Sequence, residues 1–247
     1  MERSTGYIIG FAAAVCLVCS VLVTSSAVSL KERQEENKLL DKQKKILTLA
    51  GLMERDAGIS TQEIDRLFRE NIEPHIIKLE TGEYDTSVDP LGYDQRKEAK
   101  DPETSKVAPE NRSGIQRVPE HALIYHVLEN GEPVTLILPI EGKGLWSTLY
   151  GFLALDTDTT TVKGITFYEH GETPGLGGEI ENPLWTALWP GRKAYDDNWS
   201  PALEVIKGTA GPADTDPHRI DGLAGSTLTS RGVSNLLRFW LGENGFT

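Results

Sequence analysis

Residues 122–140 read ALIYHVLENGEPVTLILPI, and the fold follows from how this stretch is parsed. Two runs rich in β-branched and aromatic residues, 122–128 and 134–140, flank Asn130-Gly131. That dipeptide accepts the positive φ a tight hairpin turn demands, so the stretch reads as a β-hairpin. A second pair follows, 149–155 and 162–168, separated by a polar Asp/Thr turn. Ile76, Ile77 and Leu79, after a break at Glu73-Pro74, supply a further short strand, and 203–207 another. Helices frame these strands. Ser60 with Glu63 forms a capping box ahead of Ile64, Leu67 and Phe68. Residues 182–188 read as a short helix. Val233, Leu236, Leu237, Trp240 and Leu241 share one helical face, with Thr229 or Ser230 as the expected N-cap. The segment from Asp89 to Pro119 is charged and weakly apolar, and reads as a long connection. With no Rossmann or P-loop glycine pattern at any strand-to-helix junction, the expected class is α+β: an antiparallel sheet with helices against it.

Ahead of this domain, residues 7–28 contain no charge and are rich in Ile, Ala, Val and Leu, long enough for one transmembrane helix. Ser25 and Ala27 offer the small residues of a signal-peptide cleavage site, but the apolar run exceeds a usual signal core, so the reading is a retained anchor. Arg3 and the amino terminus flank one side, Lys31 and Arg33 the other, and the charge rule for orientation is silent. Residues 31 to about 55 keep Leu39, Ile46, Leu49 and Met53 at helical intervals, which extends the helix beyond the apolar run.

A chain of 247 residues with 38% apolar content buries one core of ordinary size. Its formal net charge of −12 argues against nucleic acid as a partner. The only cysteines, Cys16 and Cys19, lie inside the apolar run, where C-x-x-C spacing reads as packing. Five histidines without H-E-x-x-H or similar spacing give no zinc site, and no metal is expected.

Three stretches can carry chemistry. Residues 221–233, DGLAGSTLTSRGV, form a Gly-containing turn with three hydroxyls, Ser226, Thr227 and Thr229, feeding a helix whose first amides favour a phosphate. Residues 172–179, ETPGLGGE, form a Pro- and Gly-rich loop whose backbone can approach a planar ligand. Residues 143–147, KGLWS, carry Trp146, which can stack on an aromatic ring or fill a core. Each alone is an ordinary loop.

In order and behind one N-terminal anchor, GLWSTLYGFLALDTD (144–158), TVKGITFYEHGETPGLGGEI (161–180), NPLW (182–185) and DGLAGSTLTSRGV resemble the C subunits of sodium-translocating NADH:quinone reductases. The likeness is strongest from Gly142 onward and weakest between Gly82 and Arg117. Asp221 to Thr227 resembles the flavinylation pattern of FMN-binding domains. This sequence departs from that pattern at Ala224 and Ser226, which puts a second hydroxyl beside the acceptor.

The resemblance implies a single-pass protein of the inner membrane with a periplasmic FMN-binding domain. It also implies FMN esterified through its phosphate to Thr227 by a flavin transferase using FAD and a divalent metal. Residues 1–30 would be the anchor, 31–120 a helical and connecting region, and 121–247 the FMN-binding domain. Partners would be the other subunits of the reductase, which passes electrons from NADH to ubiquinone and exports sodium. Leu145, Trp146, Ser147, Thr173, Leu176 and Gly177 would border the cofactor. Gly225, Ser226, Leu228 and Thr229 would surround its phosphate, Lys207 would place a positive charge nearby, and Asp221 would serve the attachment step. No residue is expected to act as a catalytic acid or base. The G subunit of ferredoxin:NAD complexes shares ETPGLG and the flavinylation pattern and is the nearest alternative, followed by a membrane-anchored binding module without flavin.

Overall fold

The computed structural model describes residues 4–55 and 57–247, so the flanking charge at Arg3 lies outside the described residues. Two compact units emerge, Met1–Lys42 and Gln43–Thr247. The first consists of most of helix α1 (Thr5–Leu49), whose apolar side chains from Tyr7 to Leu30 are exposed. Among the described residues α1 is the one helix long and apolar enough to cross a membrane. It ends at Leu49, short of the expected 55, because the chain turns at Gly51 with φ 74°. Cys16 and Cys19 are free and exposed on it.

The second unit is built on a five-stranded antiparallel sheet. In chain order the elements are α2 (Thr61–Asn71), β1 (Ile72–Lys78), α3 (Gln95–Glu98), β2 (Ser105–Val107), β3 (Arg117–Pro119), β4 (His121–Glu129), β5 (Glu132–Lys143), β6 (Thr148–Asp156) and β7 (Val162–Glu169). There follow a 3-10 helix (Gly177–Glu181), α4 (Pro183–Thr186), β8 (Glu204–Val205), β9 (Arg219–Ile220) and α5 (Thr227–Trp240). The sheet order is β1-β4-β5-β6-β7. Both expected hairpins are present, and Asn130 and Gly131 turn the first at φ 54° and 84°.

Several expectations need correction. Glu73-Pro74 lies inside β1 rather than before it, which is possible because β1 is an edge strand and Pro74 faces away from β4. On that outward side the Lys78 N–H donates to Glu83 and the Ile76 carbonyl accepts from Asp85. The long connection contains α3 and the small β2–β3 ribbon. The strand at 203–207 shrinks to β8, which pairs in parallel with β9 and stays apart from the main sheet. Ser60 caps α2 by accepting from the Glu63 N–H, but the Glu63 carboxylate binds Arg66, so the box is only half closed.

The sheet is covered on both faces. α5 lies on one, burying Val233, Leu236, Leu237 and Trp240 completely against Leu138, Ile140 and Leu149. Each such side chain contributes about 2–3 kcal/mol of burial. On the other face, Leu49 approaches Gly164 of β7, and Phe68 of α2 meets the Tyr125 ring edge-on.

Candidate functional site

Three loops converge at one end of the sheet. The β5–β6 hairpin tip (144–147) closes through the Gly144 N–H donating to Ser147 O at 2.8 Å. After β7, Thr173-Pro174-Gly175-Leu176 forms a type II turn: Gly175 has φ 76° and the Leu176 N–H donates to Thr173 O at 3.1 Å. The third is the turn at 221–226 that opens α5. The Ser147 hydroxyl oxygen accepts from the Gly171 N–H at 2.6 Å, locking the first loop to the second. Gly225, at φ 71°, lies so close to Leu176 that a Cβ there would sit 3.0 Å from Leu176 Cδ2, which brings the second loop to the third.

Glu172 ties all three together. Its Oε1 accepts from the N–H groups of Trp146 (2.9 Å) and Ser147 (3.4 Å), and its Oε2 accepts the Thr229 hydroxyl at 2.5 Å. Burial works against ionisation of this carboxyl. The Thr229 hydroxyl and the backbone donors of the hairpin tip outweigh it, and its pKa lies below the ordinary glutamate value. Behind it, the Glu172 N–H donates to His170 Nδ1 at 3.1 Å, an arrangement that assigns the ring proton to Nε2. His170 Nε2 meets Glu181 at 2.9 Å, and Glu181 also binds Lys45 at 2.7 Å.

The residues singled out from the sequence separate into exposed and buried sets. Trp146 is 71% exposed, and Leu145, Leu176 and Leu228 are exposed too, an apolar set carried by the three loops that meet at the α5 turn. Thr173 is exposed beside them. Thr227 is exposed, whereas Ser226 is only 5% exposed. Gly177 borders no surface: it is buried, and a Cβ on it would lie 2.6 Å from Thr229 Oγ1 and 2.7 Å from Glu172 Oε2.

The expected N-cap also changes. α5 begins at Thr227 with Ser226 in the N-cap position, because the Thr229 hydroxyl is committed to Glu172 and the Ser230 oxygen accepts from the Leu223 N–H. The first-turn N–H groups of Thr227, Leu228 and Thr229 therefore have no carbonyl partner within the helix. Asp221 shapes the turn, its Oδ1 accepting from the Ala210 N–H at 2.8 Å. Lys207 is exposed in a groove of about 780 Å³ that also holds Asp221, Thr227 and Arg231.

An exposed hydroxyl, a helix start and exposed apolar side chains suit a planar aromatic group that bears a phosphate. Residues 144–242 match the family model of the FMN-binding domain, so the class is that of FMN-binding-domain proteins. The chain is 50% identical over 248 residues to the C subunit of the Na(+)-translocating NADH-quinone reductase of Pseudomonas aeruginosa, covering 99% of this chain and 94% of the relative. It is 48% identical over 235 residues to that of Yersinia pestis, covering 94% and 86%. The crystal structure of Shewanella oneidensis NqrC matches at a TM-score of 0.76 and 35% identity, over 83% of this chain and 92% of the other. The crystal structure of the corresponding protein from Parabacteroides distasonis matches at 0.65 and 27%, over 85% and 92%. This chain belongs to the family of C subunits of Na(+)-translocating NADH-quinone reductases.

Glu172 and His170 are the organising residues that sequence reasoning passed over. The available signal was an acidic residue set between a buried strand and a Gly-rich turn.

Proposed function

We propose that this chain carries FMN as a phosphoester on Thr227 and serves as an electron-carrying member of a sodium-translocating NADH-quinone reductase. The observation that carries this reading is an exposed Thr227 beside a buried Ser226, with Leu145, Trp146, Leu176 and Leu228 exposed on the converging loops and the start of α5. In the attachment step the Thr227 oxygen bonds to the FMN phosphorus of FAD and the diphosphate P–O bond breaks. AMP leaves, and the hydroxyl proton passes to a base of the flavin transferase.

Once attached, FMN supplies the redox chemistry. The chain's own groups position it. The N–H groups of Leu228 and Thr229 would donate to the phosphate. Leu145, Trp146 and Leu176 would exclude water from one side of the ring, with Ser147 and Thr173 alongside. Gly225 permits the close turn, Gly177 the close packing beneath it, and Asp221 holds the acceptor turn in shape. Lys207 sets a positive charge in the neighbouring groove.

The same reading makes residues 1–30 the anchor in the inner membrane and 121–247 the flavin domain on the periplasmic side, with β1 from the 31–120 region completing its sheet. The other subunits of the reductase are its partners. Co-production with a flavin transferase, followed by a denaturing gel, is expected to give a flavin-fluorescent band that Thr227→Ala abolishes and Ser226→Ala retains. A band that survives Thr227→Ala and vanishes with Ser226→Ala would reassign the attachment. No band from the wild type would remove the flavin reading.

A further inference from the structure

Glu172 is 5% exposed, yet among the described residues no cation forms an ion pair with it. Both carboxylate oxygens are boxed in: a Cβ on Gly144 would lie 2.7 Å from Oε1, and one on Gly177 2.7 Å from Oε2. All its hydrogen bonds come from neutral donors, the Thr229 hydroxyl and the N–H groups of the hairpin tip. Burying an unpaired carboxylate carries a large desolvation cost. A glutamine would offer the tip an acceptor oxygen without that cost. Hydrogen bonding alone therefore does not account for a charged residue here.

Position does. Trp146, whose N–H binds Glu172, forms part of the exposed rim, and Thr229, whose hydroxyl binds it, stands two residues from Thr227 on α5. Glu172 is itself buried, so on the protein side of the rim its field is less screened than that of a surface carboxylate.

We propose that Glu172 is a redox-positioning residue whose buried negative charge, set beneath the rim of Trp146, Leu176 and Thr227, lowers the midpoint potential of the flavin held there. Electrons added to the ring meet a fixed like charge, so reduction becomes less favourable. Lys207, in the groove on which Thr227 also opens, acts in the opposite sense. Arg112, Arg231 and Arg238 line the same groove, so the potential reflects the buried anion against a cationic groove of which Lys207 is one member.

This inference rests on FMN at Thr227, and its test keeps the two separable. Full-length, flavin-loaded protein in detergent is titrated potentiometrically at pH 7 by visible absorbance. Glu172→Gln is expected to move the midpoint positive and Lys207→Gln to move it negative. Glu172→Asp, which keeps the charge while disturbing the packing, is expected to stay nearer the wild type than Glu172→Gln. An unchanged midpoint in Glu172→Gln, or a shift in Glu172→Asp as large as in Glu172→Gln, overturns the proposal. Should Glu172→Gln take no flavin, the wild type decides through its oxidised-minus-reduced infrared spectrum. A carboxylate band is expected there, and its absence overturns the proposal. A wild type without flavin would instead remove the reading of Thr227.

Discussion

Trp185 Nε1 donates to the carbonyl oxygen of Asp221 at 2.9 Å, so α4 holds the first residue of the acceptor turn from across the fold. Asp221 in turn fixes Ala210 through its side chain. Trp185→Phe keeps an aromatic ring against Trp189 but removes the donor. We expect a loss of about 1 kcal/mol in urea unfolding and slower flavin attachment. Attachment at the wild-type rate would show that the turn holds its shape without this bond.

On the proposed attachment, exposure and direction rather than degree of substitution select the hydroxyl. Thr227→Ser places a primary alcohol at the same exposed position and is expected to be flavinylated. Thr227→Ala leaves Ser226 as the adjacent hydroxyl, and because it is buried, as Thr229 is, peptide mass spectrometry should find it unmodified. A flavin mass on Ser226 in that variant would mean the turn rearranges to expose it.

Gly177 tolerates no side chain while Thr229 and Glu172 keep their bond. Gly177→Ala forces a methyl to within 2.6 Å of Thr229 Oγ1, and a destabilisation of about 1–3 kcal/mol is expected. Thermal unfolding measures it directly. A midpoint equal to the wild type would show that the Glu172 pocket opens freely.

Glu181 links stability to acid. The His170 hydrogen bond, joined by Lys45, outweighs burial and holds its pKa down to about 2, against an ordinary 4.5. A depressed folded pKa contributes stability in full above the unfolded value, and that contribution fades as pH falls from about 4.5 toward 2. Glu181→Gln should therefore lower stability at pH 6 and narrow its difference from the wild type at pH 3. Urea curves at the two pH values that differ by the same amount would contradict this.

Much of the fold was legible because its signals are local. Asn130-Gly131 sets a turn by its own φ preferences, and the apolar stripe of α5 needs only helical spacing to be seen. The misreadings came from distant partners. Thr229 looked like a cap until Glu172, from another loop, took its hydroxyl. Pro74 looked like a strand breaker until the sheet order placed it on an outer edge. The exposed part of the site, Thr227 with Leu145, Trp146 and Leu176, came from resemblance rather than from spacing. The buried part, Glu172 with His170, has no short-range signature, since its donors are contributed by segments far apart in the chain.

Pro74 has a further consequence at the margin of the sheet. Its ring offers no donor, the Lys78 N–H is already given to Glu83, and the Ile76 carbonyl already receives the Asp85 N–H. An incoming strand from a second copy would find these outward backbone groups either missing or satisfied, so templated β-sheet growth along this side is blocked. The same residues that complicate the reading of β1 thus close this edge of the sheet to a further strand.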